Sequence, residues 1–576
     1  MQPTQPGRDE PRPPGPTGWR AHAPVLAAYA GLTTIVLWPA ARHFTTRPMI
    51  GGVDSSIFYW AWWHLPRAIA HGGGVFRTDG LMYPVGVDLR VTVMAPAVAA
   101  LSWPVRAAWG PEAQVNAVQL GSAFFAAVAA YFLIVRVCHN RGAAGLMGAA
   151  YAFTPYRFVH QGEHLNLIHM GLLPAGLVLA LRLADQPSVR RGTLLGAWLG
   201  FAFLVDPQLA SITAIAVVVL LIGRRAPLRV LIRPVSIGLL VALVVATPVL
   251  VPLVGGILDD ESSAALSAQD LAAFSSSPLS WVVPPVTHPV LGGIAEVDVL
   301  RTGSEGVTSP GLLLVGLAFA GASLVAADRR RGWVLLTWVG FVLSLGPFLV
   351  VGQERVALPL PYLALRALPF MDTLRVPGRF ALIGVLGICV LAAGTLSARL
   401  DRVRPERRRW VLRGCVVIVA FELLPGLPVS RDGGAPAPYA AIAEDSGAGA
   451  VLEVPLQWST GVQRVGFEQR NVTLFMAWAT VHGKPYVGGS VSRLSEDRLS
   501  RLEAISVYRQ VRALQGDPGI RGPVTFGVDD LRQLGIGYVV YHRDIPVPEV
   551  LHYVEALDLP VLADDGTVVV WKVPVA

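Results

Sequence analysis

Gly51-Gly52-Val53-Asp54-Ser55-Ser56-Ile57-Phe58-Tyr59-Trp60-Ala61-Trp62-Trp63 puts one carboxylate between the first apolar run of the chain, residues 24–41, and a segment crowded with Trp and Tyr. Aromatic side chains concentrate where a membrane meets water, and a helix lying in that plane has this mixed composition. The two glycines let the backbone turn closely ahead of Asp54. A carboxylate withdrawn from water at such a boundary is costly and tends to be functional. The plainer reading is a solvated aspartate capping a helix that starts at Ser55, since Asp is a favoured N-cap.

The rest of the chain says that this loop belongs to a membrane protein. Of its 576 residues 53% are hydrophobic and 15% charged, with a mean hydropathy of +0.52, outside the range of soluble domains. The formal net charge is +8, but the arginines stand in short clusters between apolar segments, as in cytoplasmic loops, so no nucleic-acid partner is implied. Lysine occurs only at 484 and 572, and together with abundant Ala, Gly and Pro this suits a GC-rich bacterial genome. Cys138, Cys389 and Cys415 fall in or beside apolar segments and offer the outer loops no disulfide framework. Residues 1–22 read as a disordered cytoplasmic arm, and the first apolar run as a retained helix, because no small-residue cleavage site follows it.

Runs able to cross the hydrocarbon layer, about twenty residues each, lie near 24–41, 112–137, 141–156, 165–184, 193–206, 208–223, 230–255, 309–327, 333–352, 379–398 and 410–428. The expected architecture is a polytopic α-helical membrane protein of about eleven transmembrane helices, N-terminus in and C-terminus out. In that scheme Arg136 and Arg141, Arg190 and Arg191, Arg224 and Arg225, Arg329 to Arg331, and the run from Arg399 to Arg413 are all cytoplasmic. It requires 93–109, interrupted by Pro96 and Pro104, to lie in the outer interface without spanning. The outer loops 42–111, 256–308 and 353–378 are long, which marks them as carriers of function within a membrane domain of residues 23–430. From 431 to 576, strand-like runs at 450–454, 538–541 and 568–571 alternate with polar helical stretches such as 495–515. That region is expected to be an extracytoplasmic α/β domain.

Several loops carry candidate chemistry. Thr154-Pro155-Tyr156-Arg157-Phe158-Val159-His160-Gln161-Gly162-Glu163-His164-Leu165-Asn166 is dense in hydrogen-bonding groups. His160-x-x-Glu163-His164 matches a zinc-protease pattern, but Gly162 weakens the helix this needs and no third ligand is identifiable. The segment reads either as polar residues satisfying one another or as a substrate-facing loop, with Glu163, His164 and Asn166 contacting sugar hydroxyls or phosphate. Asp259-Asp260-Glu261 reads as a solvated charge run, and Glu305 as a substrate contact near a membrane boundary. Arg375 and Arg379, in Leu374-Arg375-Val376-Pro377-Gly378-Arg379-Phe380, stand on the outer side, where arginine is disfavoured. They read as phosphate ligands or as interfacial cations reaching headgroups. Lys484 to Arg493 is a Gly-containing loop without a phosphate-loop signature, and the sequon Asn471-Val472-Thr473 is discounted in a bacterial protein.

Asp54 with its aromatic segment, Tyr83-Pro84-Val85-Gly86-Val87, Pro155-Tyr156-Arg157, Glu305 before an apolar run, and the stretch Leu374 to Phe380 together resemble the GT-C class of integral-membrane glycosyltransferases. Within the class they resemble more closely its poorly characterised bacterial branch with an outer C-terminal domain. The resemblance covers the whole chain as a layout. It implies a sugar donor carried on polyprenyl phosphate, inverting transfer at the outer face of the bacterial cytoplasmic membrane, and an envelope glycan, lipid or protein as acceptor. Asp54 is then the base or acceptor-orienting carboxylate. Many members of the class pair two acidic residues in the first outer loop, whereas Val53 precedes Asp54 here. No metal ligands are therefore assigned, a requirement for Mg or Mn is left open, and no organic cofactor is expected. The competing readings are a lipid or polysaccharide transporter or flippase, and a non-catalytic scaffold for envelope assembly.

Overall fold

Proline and glycine decide where the apolar segments break. The structure, a computed structural model, describes residues 18–575 except 52–53, 226, 260–266, 269, 297–303, 322–326, 352–353, 368–373, 425, 427–433, 461–462 and 468–473. Gly52, Val53, Asp260, Glu261, the sequon at 471–473 and residues 1–17 of the N-terminal arm lie outside the described residues.

The chain is a mostly helical polytopic membrane protein. Among the described residues, three helices are long and apolar enough to cross a membrane, Pro96–Cys138, Leu228–Leu258 and Pro377–Arg402, and Ala23–Val36 and Pro207–Gly223 are shorter apolar ones. Arg141–Ala152, Leu172–Asp185, Val189–Val205, Leu312–Gly321, Ala327–Ser344 and Pro405–Glu422 overlie the other predicted runs. Several boundaries differ from expectation. The first run breaks at Leu37 and resumes as the short helix Trp38–Arg42, which opens with Pro39. Residues 165–171 are turns ahead of Leu172. The run 333–352 is helical only to Ser344: Gly346 has φ 75° and Pro347 follows, after which Phe348–Val351 pairs antiparallel with Glu354–Pro359. Within 93–109 the chain is helical from Pro96 onward, and Gly110 (φ 91°) breaks that helix from its continuation to Cys138.

The helix Ala381–Arg402 runs buried through the bundle. The helix Leu228–Leu258 is its opposite, with Leu239 60% and Val244 64% exposed, an apolar surface suited to lipid. It is held by Val189–Val205, where a Cβ on Gly196 would lie 1.9 Å from the carbonyl oxygen of Gly238 and one on Gly192 2.0 Å from that of Pro234. This is the close backbone approach that small residues four apart permit between membrane helices. At one end of the bundle Asp185 accepts from both Arg136 (2.6 Å) and Arg224 (2.7 Å), so these three predicted cytoplasmic ends lie together.

The C-terminal region is built on a four-stranded sheet in the order Val561–Asp564, Val568–Lys572, Ile536–His542, Ala450–Val454, antiparallel except for the last pair. A three-stranded sheet, Arg464–Gly466, Gln457–Ser459, Gly489–Ser490, stands beside it. The polar helical stretch 495–515 is two helices, Glu496–Ala504 and Ser506–Leu514, divided at Ile505. This region is docked on the first long loop. Met82 N donates to Gly488 O (3.0 Å), Tyr486 N to Gly80 O (3.1 Å) and Tyr508 Oη to Tyr83 O (2.7 Å). The helix Leu474–His482 packs against the aromatic helix Ser55–Ala70. The loop that carries Asp54 is thereby tied to both parts of the molecule.

Candidate active site

Asp54 occupies the N-cap position of the helix Ser55–Ala70 but makes no side-chain cap hydrogen bond. Its Oδ2 instead lies 3.2 Å from His164 Nε2. The capping reading therefore fails in its energetic part, and the carboxylate faces a second loop. That loop is positioned by the helix Pro155–His160, which stops where Gly162 turns, and Gly51 N donates to Gly162 O at 2.7 Å. The turn folds His164 back so that its Nδ1 sits 3.3 Å from His160 Nδ1.

The two histidines meet Glu305, on the short 3-10 turn Ser304–Gly306. His160 Nε2 is 3.4 Å from Glu305 Oε2, and His164 Nε2 is 3.9 Å from Oε1. Arg379, on the turn Pro377–Phe380 that leads into the central buried helix, takes both oxygens of Glu305, Nη2 to Oε1 at 2.6 Å and Nε to Oε2 at 3.2 Å. Its Nη1 donates to Gln208 Oε1 (2.6 Å), and Gln208 Nε2 donates to Val376 O (3.3 Å). Asn166 Nδ2 donates to Asp206 Oδ2 (2.6 Å), while Asp206 Oδ1 caps Pro207–Gly223 by accepting from Leu209 N (2.6 Å).

A cavity of about 640 Å³ joins these groups. Asp54, Glu163, His164, Asn166, Glu305, Arg375 and Arg379 all line it. Part of the wall is apolar, formed by Phe203 and by Leu250, Leu253, Val254 and Ile257 of the lipid-suited helix. Another part comes from the C-terminal domain. His160, beyond its place in a motif, and Asp206, Gln208 and the C-terminal wall join the site only in the folded structure. Asp206-Pro207 between two apolar runs carries a detectable N-cap signal. His160 and Gln208 have none, because only tertiary packing brings them to Glu305 and Arg379.

Burial acts on every charge here. Burial alone would raise the Glu305 carboxyl, but the charge and hydrogen bonds of Arg379 hold it well below the usual carboxylate range. Burial pushes His160 down to about 3, so it is a neutral imidazole. Burial also opposes protonation of His164, yet the Asp54 hydrogen bond and charge, with Glu305 behind them, leave its pKa above the ordinary imidazole value. Burial lowers that of Arg375.

Donor atoms of His160, His164 and Glu305 lie within 4.8 Å of one another. This set does not suit Mg²⁺, which takes oxygen ligands in octahedral geometry. Both Glu305 oxygens already accept from Arg379, which puts a guanidinium charge where a divalent ion would add more. Two imidazoles and a carboxylate are closer to a zinc-type donor set, with one of its members committed elsewhere.

No curated protein sequence matches this chain. Several solved structures share its fold. The arabinofuranosyltransferase AftD from Mycobacteria superposes with a TM-score of 0.62 and 18% identity over 96% of this chain, which spans only 40% of that protein. The oligosaccharyltransferase of Archaeoglobus fulgidus, tethered to an acceptor peptide, gives 0.52 and 12% identity over 92% of this chain and 70% of that one. ArnT from Cupriavidus metallidurans, bound to undecaprenyl phosphate, gives 0.51 and 14% identity over 97% of this chain and 99% of that one. The architecture is thus that of the GT-C glycosyltransferases. Residues 22–423 match the family described as Domain of unknown function (DUF6311), and the chain belongs to that family.

Proposed function

We propose that this protein is an inverting glycosyltransferase of the bacterial cytoplasmic membrane, moving a sugar from a polyprenyl-phosphate donor to an envelope acceptor at the outer face, where the C-terminal domain also lies. The observation that carries the reading is the single cavity in which a loop-one carboxylate, two arginines and a lipid-suited helix wall meet. The likeness to GT-C structures, one of them of a protein bound to undecaprenyl phosphate, supports it at the level of fold.

In this mechanism the acceptor hydroxyl gives its proton to Asp54 as its oxygen attacks the anomeric carbon from the face opposite the phosphate. The bond from that carbon to the phosphate oxygen breaks, and polyprenyl phosphate departs with the electron pair. Arg375 meets the phosphate charge. In this reading Arg379, held by Glu305 and Gln208, fixes the floor of the site next to the phosphate. His164 orients Asp54, and Glu163 and Asn166 take sugar hydroxyls. The polyprenyl tail lies along Leu250, Leu253, Val254 and Ile257.

The test is transfer of radiolabelled sugar from a panel of polyprenyl-phosphate sugars to an envelope extract, wild type beside Asp54→Asn. Transfer that disappears in the variant supports the reading. Transfer unaffected by the variant removes Asp54 from the chemistry, and absence of transfer with every donor moves the weight to the transporter or scaffold readings.

A further inference from the structure

The part of the cavity wall that the C-terminal domain supplies differs in kind from the rest. Among the described residues it consists of Ser459, Thr460, Gln463, Arg464, Ser492 and Arg493: three hydroxyls, one amide and two guanidinium groups. Hydroxyl and amide groups can both donate and accept, and guanidinium groups donate in fixed directions, the mixture that recognises a polyhydroxylated ligand.

The local fold presents these groups together. Ser459 ends the strand Gln457–Ser459 and Arg464 begins its hairpin partner. Thr460 N donates to Gln463 O (2.8 Å) and Gln463 N to Thr460 Oγ1 (3.0 Å), closing the hairpin tip. Val491 N donates to Ser459 O (3.0 Å), which draws the segment bearing Ser492 and Arg493 alongside. Trp458, fully buried, anchors the strand through Nε1 to Val487 O (2.9 Å). The main-chain bonds from Tyr486 N to Gly80 O and from Met82 N to Gly488 O then fix this wall relative to the loop that carries Asp54. A ligand held on this wall is held in register with the carboxylate, the condition for converting binding into orientation.

We propose that this wall is the acceptor subsite and that the acceptor is a hydrophilic, polyhydroxylated glycan that presents one hydroxyl to Asp54. The proposal rests on the glycosyltransferase reading of the same cavity. The donor takes the apolar wall and Arg375, and the acceptor takes the C-terminal wall, so one cavity serves a lipid-borne and a water-borne substrate.

The experiment measures equilibrium binding of linear hexasaccharides of arabinose, mannose, galactose and rhamnose to the full-length protein in nanodiscs, followed by saturation-transfer NMR. Wild type is compared with Gln463→Ala/Arg464→Ala and Arg493→Ala, and with Arg543→Ala, whose side chain pairs with Asp564 away from the cavity wall. At least one saccharide should bind wild type, bind Arg543→Ala equally well, and bind the two wall variants about tenfold more weakly, the loss of one or two hydrogen bonds to charged or amide groups. In transfer assays the wall variants should raise the acceptor KM by a similar factor, leaving the donor KM and release of sugar to water unchanged. Wild type that binds none of the saccharides overturns the proposal, as does use of a lipid or peptide acceptor with a KM indifferent to the wall variants. Wall-dependent saccharide binding without transfer from any donor overturns the glycosyltransferase reading alone and leaves the wall as a glycan site.

Discussion

Arg379 holds Glu305 side-on, Nη2 on Oε1 at 2.6 Å and Nε on Oε2 at 3.2 Å, joining the turn before the central helix to the loop before Leu312–Gly321. Both side chains are about nine-tenths buried. Removing one member leaves the other charged and unpaired in a low-dielectric site. Glu305→Gln and Arg379→Gln should each destabilise the folded protein by about 3 kcal/mol. The double variant should cost clearly less than the sum of the two, because no lone charge remains. Thermal unfolding in detergent checks this, and strict additivity would show that the pair is not coupled.

Asp54 and His164 form the other half of the site, 3.2 Å apart. Asp54→Asn keeps the size of the side chain and removes the base, so transfer should fall by about 10²-fold or more. His164→Ala acts through Asp54 and should lower kcat less. Its pH signature has a definite sign. The folded-state pKa of His164 lies above its ordinary 6.5, so the pair stabilises the fold fully below 6.5, and that contribution fades as pH rises through the raised value. The melting-temperature gap between wild type and His164→Ala should therefore be larger at pH 6 than at alkaline pH. A gap that widens with pH would reverse the assignment.

How much of this was legible before the fold was known depends on the kind of signal. The predicted apolar runs coincide with helices because hydropathy over about twenty residues is a strong local signal, whereas helix ends such as Ser344 depended on Gly346 and Pro347. Asp54, Arg375 and Arg379 stood out because charge at the mouth of an apolar segment is locally anomalous, and all seven proposed site residues line one cavity. The pairings were not legible. Nothing near Glu305 in sequence announces Arg379, and nothing near Asp54 announces His164. The C-terminal wall was hidden for a different reason, since Ser, Thr and Gln in a polar loop are ordinary until a sheet places them against a membrane-side cavity.

Metal dependence follows from the same pair. Glu305 gives both oxygens to Arg379, so a divalent ion at His160, His164 and Glu305 would have to displace a guanidinium from a buried carboxylate. Transfer should persist after EDTA treatment and exhaustive dialysis, without stimulation by added Mg²⁺ or Mn²⁺. Loss of activity in EDTA that Mn²⁺ or Zn²⁺ restores would mean that Arg379 swings away when the site is charged.

The C-terminal domain carries its own titrating group, remote from the proposed chemistry. Glu453, buried in the strand Ala450–Val454, accepts from Tyr439 Oη at 2.5 Å through Oε1, while Oε2 has no hydrogen-bond partner among the described residues. Tyr439 Oη also lies 3.2 Å from His542 Nε2. Burial pushes the Glu453 carboxyl up to about 8 from its ordinary 4.5, with the Tyr439 bond opposing the rise only in part. Between those two values the folded protein binds a proton that the unfolded chain has released. Stability is therefore highest at the acid end of the window and falls as pH rises through it, by at most about 1.4 kcal/mol per pH unit for one such proton. Glu453→Gln keeps the Tyr439 contact and removes the titration. Its unfolding midpoint should match wild type near pH 5 and exceed it near pH 8, followed by the near-ultraviolet signal of the neighbouring Trp478 and Tyr439. Equal pH slopes in the two proteins would show that the carboxyl is ionised in the fold and that its free oxygen is met by water.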